Sequence, residues 1–175
     1  LALHEATQRV DTASSRVHQL VYDTAIQALS DGCIPAVVGG DHSCPSGLIR
    51  AVAEAVPGVG ILHIDAHADL REAYLGFCWS HASVMHNALR WGGVSKLVGV
   101  GYRDMGSAEL DRIRQEPGRI RAFTDSWMAR CVARGETWLS LCEEIVAGLP
   151  DHVCVSFDID GRDPTLCPHT GTPVP

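Results

Sequence analysis

Three short clusters of acidic and imidazole side chains are where this 175-residue chain could do chemistry. They are Gly39-Gly40-Asp41-His42-Ser43, Asp65-Ala66-His67-Ala68-Asp69 and Asp158-Ile159-Asp160. Asp65, His67 and Asp69 alternate, as do Asp158 and Asp160, so an extended backbone would turn each set to one side. Residues four apart on a strand are separated by roughly 13 Å at about 3.3 Å per residue, too far to bind one ion. Either the backbone curls after Asp65 or the cluster serves two ions. With His42 the pool holds the imidazoles of His42 and His67 and the carboxylates of Asp65, Asp69, Asp158 and Asp160. Four negative charges balance two divalent cations, which favours a binuclear site. Oxygen and nitrogen donors without thiolate suit manganese better than a structural zinc. Two such ions about 3.5–4 Å apart lower the pKa of a shared water and present hydroxide to a carbon electrophile. The chemistry expected is metal-activated hydrolysis.

Each cluster taken alone has a plainer reading. An Asp-x-Asp after a strand is commonly a turn or helix cap, because Asp satisfies local backbone donors. The run Asp160-Gly161-Arg162-Asp163-Pro164 reads as such a turn. His42 beside two glycines could be a loop residue, and no phosphate-cradling Gly-x-x-x-x-Gly-Lys-Ser/Thr pattern follows. A thiol nucleophile at Cys44 using His42 lacks an orienting third group. The combination of all three clusters, each after an apolar run, is what points to metal.

The elements that must position these residues are short and apolar. Ile34 to Val38, Val59 to Ile64 and Val153 to Phe157 read as buried parallel strands ending at the clusters. In open α/β sheets, ligands bind just beyond the carboxyl ends of strands. Further strands are expected at Lys96 to Val100 and, weakly, at Ile120 to Phe123. Helices are expected at Ala6 to Leu29, Pro45 to Val56, after Ser83, Met105 to Glu116, and Trp127 to Leu149 with a break near Gly135. Ser80 or Ser83 is the expected cap of the helix that follows them. His63 and His86 read as packing or capping residues. Trp127, Trp138 and Leu141 read as core or subunit-contact residues. The alternation implies an α/β fold, a three-layer αβα sandwich on a parallel sheet.

Composition agrees with one domain over 1–175, with 46% hydrophobic and 20% charged residues. The net charge of −7 argues against nucleic acid or an anionic membrane as partner. No apolar run approaches spanning length, and no signal peptide is visible in the residues given. The seven cysteines show no Cys-x-x-Cys pair and read mostly as buried free thiols in a reducing cytoplasm.

The motifs carry a resemblance. Gly-Gly-Asp-His-Ser at 39–43, Asp-Ala-His-Ala-Asp at 65–69 and Ser-Phe-Asp-Ile-Asp-Gly at 156–161 resemble the three signatures of the ureohydrolase family. That family includes arginase, agmatinase, formiminoglutamase and guanidinobutyrase. The tail Thr170 to Pro175 is similar to the family stretch after the third motif. The resemblance implies two Mn2+ ions, with Ni2+ as the alternative, held by His42, Asp65, His67, Asp69, Asp158 and Asp160. It implies attack by metal-bound hydroxide on a guanidinium or formimino carbon, releasing urea or formamide. His81, in Ser80-His81-Ala82-Ser83, sits where the family places a histidine that shuttles protons to the leaving amine. Asp65 and His81 are therefore the expected catalytic residues.

The loop Leu70-Arg71-Glu72-Ala73-Tyr74 and the Ser-His-Ala-Ser run resemble agmatinase-like and guanidine-hydrolase-like members more than arginase. Gly101-Tyr102-Arg103-Asp104 resembles the family's Gly-x-Arg-Asp segment, but Gly106 stands where a substrate-contacting acid is common, which weakens the case for arginine. The family extends beyond both ends of this chain and includes a later glutamate that grips the guanidinium. The expectation is a fragment, incomplete at both ends, that holds the metal ligands without that glutamate. A linear guanidino or amidine substrate, a cytoplasmic location and a homo-trimer or homo-hexamer are what the resemblance implies. Two other readings compete: a mononuclear zinc amide hydrolase, and a metal-binding homologue without catalysis.

Overall fold

Helical periodicity at the start of the chain becomes α1 (Ala2–Ser30) in a computed structural model that describes residues 2–170 and 172. There follow α2 (Ser46–Ala55), β1 (Val59–Ile64), α3 (Val84–Arg90), β2 (Val94–Val100) and α4 (Ser107–Gln115). The order closes with β3 (Ile120–Phe123), α5 (Asp125–Ala133), α6 (Trp138–Val146) and β4 (Val153–Phe157). Short 3-10 turns occupy His81–Ser83 and Ile159–Gly161. The chain divides into two compact units, Leu1–Pro57 with Asp69–Val94, and Gly58–Ala68 with Ser95–Pro175. The boundary cuts the second acidic cluster between Ala68 and Asp69.

The second unit is built on a parallel four-stranded sheet ordered β3-β2-β1-β4. Its register decides where the acidic groups lie. Ile64 lies opposite Phe157, so Asp65 and Asp158 are the next residues on neighbouring strands. The ladder runs on past the strand ends: the Asp158 amide donates to Ile64, and the Asp65 amide to Val100. Parallel pairing thus brings the carboxyl ends of β1 and β4 to one edge, as a βαβ-type sheet must. Val98 joins Phe123, Met128, Cys131, Leu141 and Ile145 in the core between the sheet and α5–α6. Thr124 and Thr137 cap those two helices by accepting from the amides of Trp127 and Ser140. The break between them falls at Gly135, whose φ of +97° suits glycine. Leu141 is core, Trp127 is partly buried against it, and Trp138 is exposed.

In the first unit α1 packs on α2, with Ala25, Leu48 and Ala51 at the centre of a small apolar cluster. Here one expectation fails. Ile34 to Val38 forms no strand. A strand exists through its ladder, and this segment has no pairing among the described residues. Val37 instead packs against the α1–α2 cluster, while Ile34 and Val38 are exposed. The cap expectation also changes: Ser80 and Ser83 occupy the cap positions without capping bonds, and their hydroxyls lie 3.1 Å from each other. Of the cysteines only Cys131 and Cys154 are buried; Cys33 and Cys78 are exposed and the others half-buried, and none is in a disulfide. Of the tail that resembles the family, Gly171, Pro173, Val174 and Pro175 lie outside the described residues.

Candidate metal centre

In the sheet unit, Asp65, His67 and Asp160 bring one donor atom each to within 4.8 Å of one another. Asp65 is the first residue after β1, and the chain bends immediately beyond it, so the extended geometry stops at Ile64. The His67 amide donates to Asp65 Oδ1 at 2.7 Å, which folds the imidazole back toward the carboxylate. His67 Nδ1 then lies 3.1 Å from Asp160 Oδ2 and 3.4 Å from Asp65 Oδ1. Asp160 is placed by its other oxygen, which accepts from the Ala66 amide at 3.1 Å. Close approach of the two loops depends on Gly161. A Cβ there would lie 2.8 Å from the Asp65 nitrogen and 2.9 Å from its Cα.

Two further residues brace this group. His63 Nε2 lies 2.9 Å from Asp65 Oδ2, with both side chains buried. The Arg103 guanidinium donates to the carbonyls of Asp160, Arg162 and Thr172, and its backbone amide to Ala66. One arginine therefore ties the loop after β4 to the bend after β1.

Donor chemistry and charge decide whether a divalent cation fits. The set is two carboxylates and one imidazole with no thiolate, which suits manganese, nickel or a catalytic zinc. Two anionic groups converge on one ring, and they hold a proton there. Hydrogen bonds to Asp160 and then Asp65 push the His67 imidazole up to about 10, against the opposing effect of burial. That proton stands where a cation would relieve the same repulsion, so the residues fit the group.

The helical unit holds a pair of its own. His42 Nδ1 lies 3.0 Å from Asp69 Oδ2, and both side chains are largely buried. Asp69 adopts a left-handed φ of 52°, and its carbonyl accepts from the amides of Met85 and His86 at the start of α3. Asp41 accepts from the Ser43 amide at 2.7 Å. Burial pushes the Asp41 carboxyl up, but the Ser43 hydroxyl and amide, with His81 and His42 nearby, outweigh it and leave it below its ordinary value. His81 opens the 3-10 turn with its ring edge-on to Tyr74, 5.5 Å between centroids.

Of the six expected ligands, the triad of Asp65, His67 and Asp160 converges in the sheet unit, His42 meets Asp69 in the helical unit, and Asp158 directly follows β4. Asp158 does not extend alongside Asp160. Its side chain caps the turn Ile159–Gly161, accepting from the Asp160 amide at 3.0 Å. The plainer reading of Asp-x-Asp therefore describes part of what Asp158 does. Asp163 likewise closes a turn on Thr165. His63, expected as a packing residue, is bonded to Asp65. The available signal was its place two residues before Asp65, on the same face of the strand. Tyr102 and Arg103 carried no such signal beyond their motif.

The chain matches the model of the arginase family over residues 4–175. It is 36% identical to an N(1)-aminopropylagmatine ureohydrolase of Thermus thermophilus over 158 residues, covering 90% of this chain and 50% of that protein. It is 34% identical to a mitochondrial agmatinase of Gallus gallus, covering 83% of this chain and 42% of that one. The crystal structure of an arginase from Bacillus cereus superposes with a TM-score of 0.79 at 28% identity, covering 94% of this chain and 60% of that chain. The expected α/β class agrees with that likeness. The chain spans about half the length of the curated relatives it matches.

Proposed function

The chain belongs to the arginase family, and from that premise we propose that it carries the metal-binding part of a ureohydrolase acting on a linear guanidino compound. The observation that carries this reading is the convergence of Asp65, His67 and Asp160. In this proposal His42 and Asp69 serve as ligands from the helical unit, and Asp65, His67, Asp158 and Asp160 from the sheet unit. When bound, two divalent cations, manganese before nickel, supply Lewis acidity and a water of lowered pKa. The protein's own groups do the rest. Asp65 orients the reacting water, and His81 carries a proton to the departing amine, a role suited to an imidazole, whose two ring nitrogens can each take or give a proton. Water adds to the guanidinium carbon, the carbon–nitrogen bond to the amine breaks, and urea leaves with the water's oxygen. Agmatine, its aminopropyl derivative and guanidinobutyrate are the first substrates to try, given the names of the relatives. A homo-trimer or homo-hexamer in the cytoplasm, with the chain as one domain of a longer protein, completes the proposal. Among the described residues no helix is long and apolar enough to cross a membrane.

A single-ion reading draws on the triad alone, which already supplies the three protein ligands of a catalytic zinc. Metal content after manganese loading and desalting separates the two. Two ions per chain with urea release support the proposal, and His81→Ala should then keep both ions and lose about 10²–10⁴-fold in turnover. One zinc ion supports the amide-hydrolase reading. Two ions without release from any of these compounds point to a metal-binding homologue, and no bound ion refutes the proposal.

A further inference from the structure

We infer that Tyr102 is a positioning residue for the candidate metal centre, its hydroxyl fixing the Asp65 carboxylate through His63. The inference rests on the metal reading proposed above for the role it assigns, but its geometry stands independently. The Tyr102 hydroxyl lies 2.7 Å from His63 Nδ1, and His63 Nε2 lies 2.9 Å from Asp65 Oδ2. All three side chains are buried, each at most 1% exposed.

The chemistry of the groups gives this chain of bonds a direction. A carboxylate only accepts, so the proton between His63 and Asp65 sits on Nε2. Nδ1 is then the acceptor of a hydroxyl proton from Tyr102. A phenol donating to one nitrogen selects the tautomer that donates from the other, the arrangement in which outer groups orient a metal ligand. The effect on Asp65 is to divide its oxygens. Oδ2 is held by His63, leaving Oδ1 beside the His67 amide and ring. A carboxylate free to rotate would exchange the two oxygens and lose its aim.

The sequence makes room for the phenol and anchors its backbone. A Cβ at Gly99 would lie 2.1 Å from Tyr102 Cζ and 2.2 Å from its hydroxyl oxygen, so only glycine lets the ring lie back along β2. The Tyr102 carbonyl accepts from the Asp125 amide at 3.1 Å, and the next two amides, of Arg103 and Asp104, both donate to Ala66. The ring of Tyr102 therefore lies against β2, and the backbone that follows it is tied to the bend that carries the ligands. A bulky core residue would need the packing but not the hydroxyl, and Tyr102→Phe separates the two.

The test is to measure Mn2+ affinity of the parent and of Tyr102→Phe by chelator competition, and to record the ring nitrogen resonances of His63 in both proteins without metal. Tyr102→Phe should bind Mn2+ about tenfold more weakly, the lower end of what outer groups contribute. His63 should be protonated on Nε2 in the parent and lose that preference in the variant. Parental affinity in Tyr102→Phe, or a parent His63 protonated on Nδ1, would overturn the inference. Should Tyr102→Phe not fold, the parent's His63 spectrum still decides. A parent that binds no Mn2+ would overturn the proposed function instead, and the His63 spectrum would then decide whether the relay exists.

Discussion

The sheet unit and the helical unit both present acidic and imidazole groups, but they hold them by different means. In the sheet unit the groups sit one to three residues beyond strand ends and are braced across long sequence separations: Asp160 to the Ala66 amide, Arg103 to three carbonyls, Tyr102 to His63. In the helical unit the bonds span shorter stretches, as when Asp41 bonds the amide two residues on and the Asp69 carbonyl receives the amides of Met85 and His86. Side chains on rigid elements with a second layer of bonds behind them keep their geometry without a ligand. The triad should therefore be the tighter and more preorganised half, and the His42–Asp69 pair the softer one.

Replacing one imidazole from each half tests that ordering most directly. His67→Ala should lower Mn2+ affinity by more than about 100-fold, beyond the range of outer-group changes, and His42→Ala should abolish a weaker, later-filling ion. Calorimetric titration reads both, and equal losses from identical binding steps would break the comparison. Next comes Gly161→Ala. The added Cβ meets backbone rather than a flexible side chain, so unfolding in urea should show a loss of about 3 kcal/mol. Arg103→Met keeps the stem and removes the guanidinium; about 2 kcal/mol should be lost with its charged hydrogen bonds, and protease should cut sooner between Asp160 and Thr172. Asp41→Ala, the matching change in the helical unit, removes a local loop bond and should cost about 1 kcal/mol. If Asp41→Ala proves more damaging than Arg103→Met, long-range bracing is not what distinguishes the halves.

The smallest effect separates buried from exposed thiols. Burial pushes the Cys154 thiol up to about 11, so at pH 8 only about one in 10³ would be thiolate. Iodoacetamide followed by mass spectrometry should label the exposed Cys33 and Cys78 first and reach Cys154 only as pH rises toward 11 or the protein opens. Equal labelling at pH 8 would mean that β4 is not held against the sheet as described.

Much of the fold was legible in the sequence where a signal lies inside one window. The strands at 59–64, 120–123 and 153–157 and the helix break at Gly135 follow from apolar runs and a glycine, each local. Ile34 to Val38 carries the same apolar signature and forms no strand, because a ladder needs a partner that the run itself does not encode. The Asp-x-Asp pair shows the same limit: alternation put both acids on one side, and the 3-10 turn Ile159–Gly161 gave Asp158 a capping bond instead.

What the sequence by itself determined is the donor chemistry: oxygen and nitrogen groups in three clusters, the family they resemble, and the parallel sheet whose strand ends carry two of them. What the tertiary structure alone decided is which donors meet. Ala66 and Asp160 are 94 residues apart, and they bond because Ile64 pairs with Phe157 and Gly161 lets the backbones touch. Local periodicity specifies an element, whereas register and close approach depend on residues far away in the chain. That is also why His63 reads as a packing residue in the sequence, and only the folded chain places it, with Tyr102, behind Asp65.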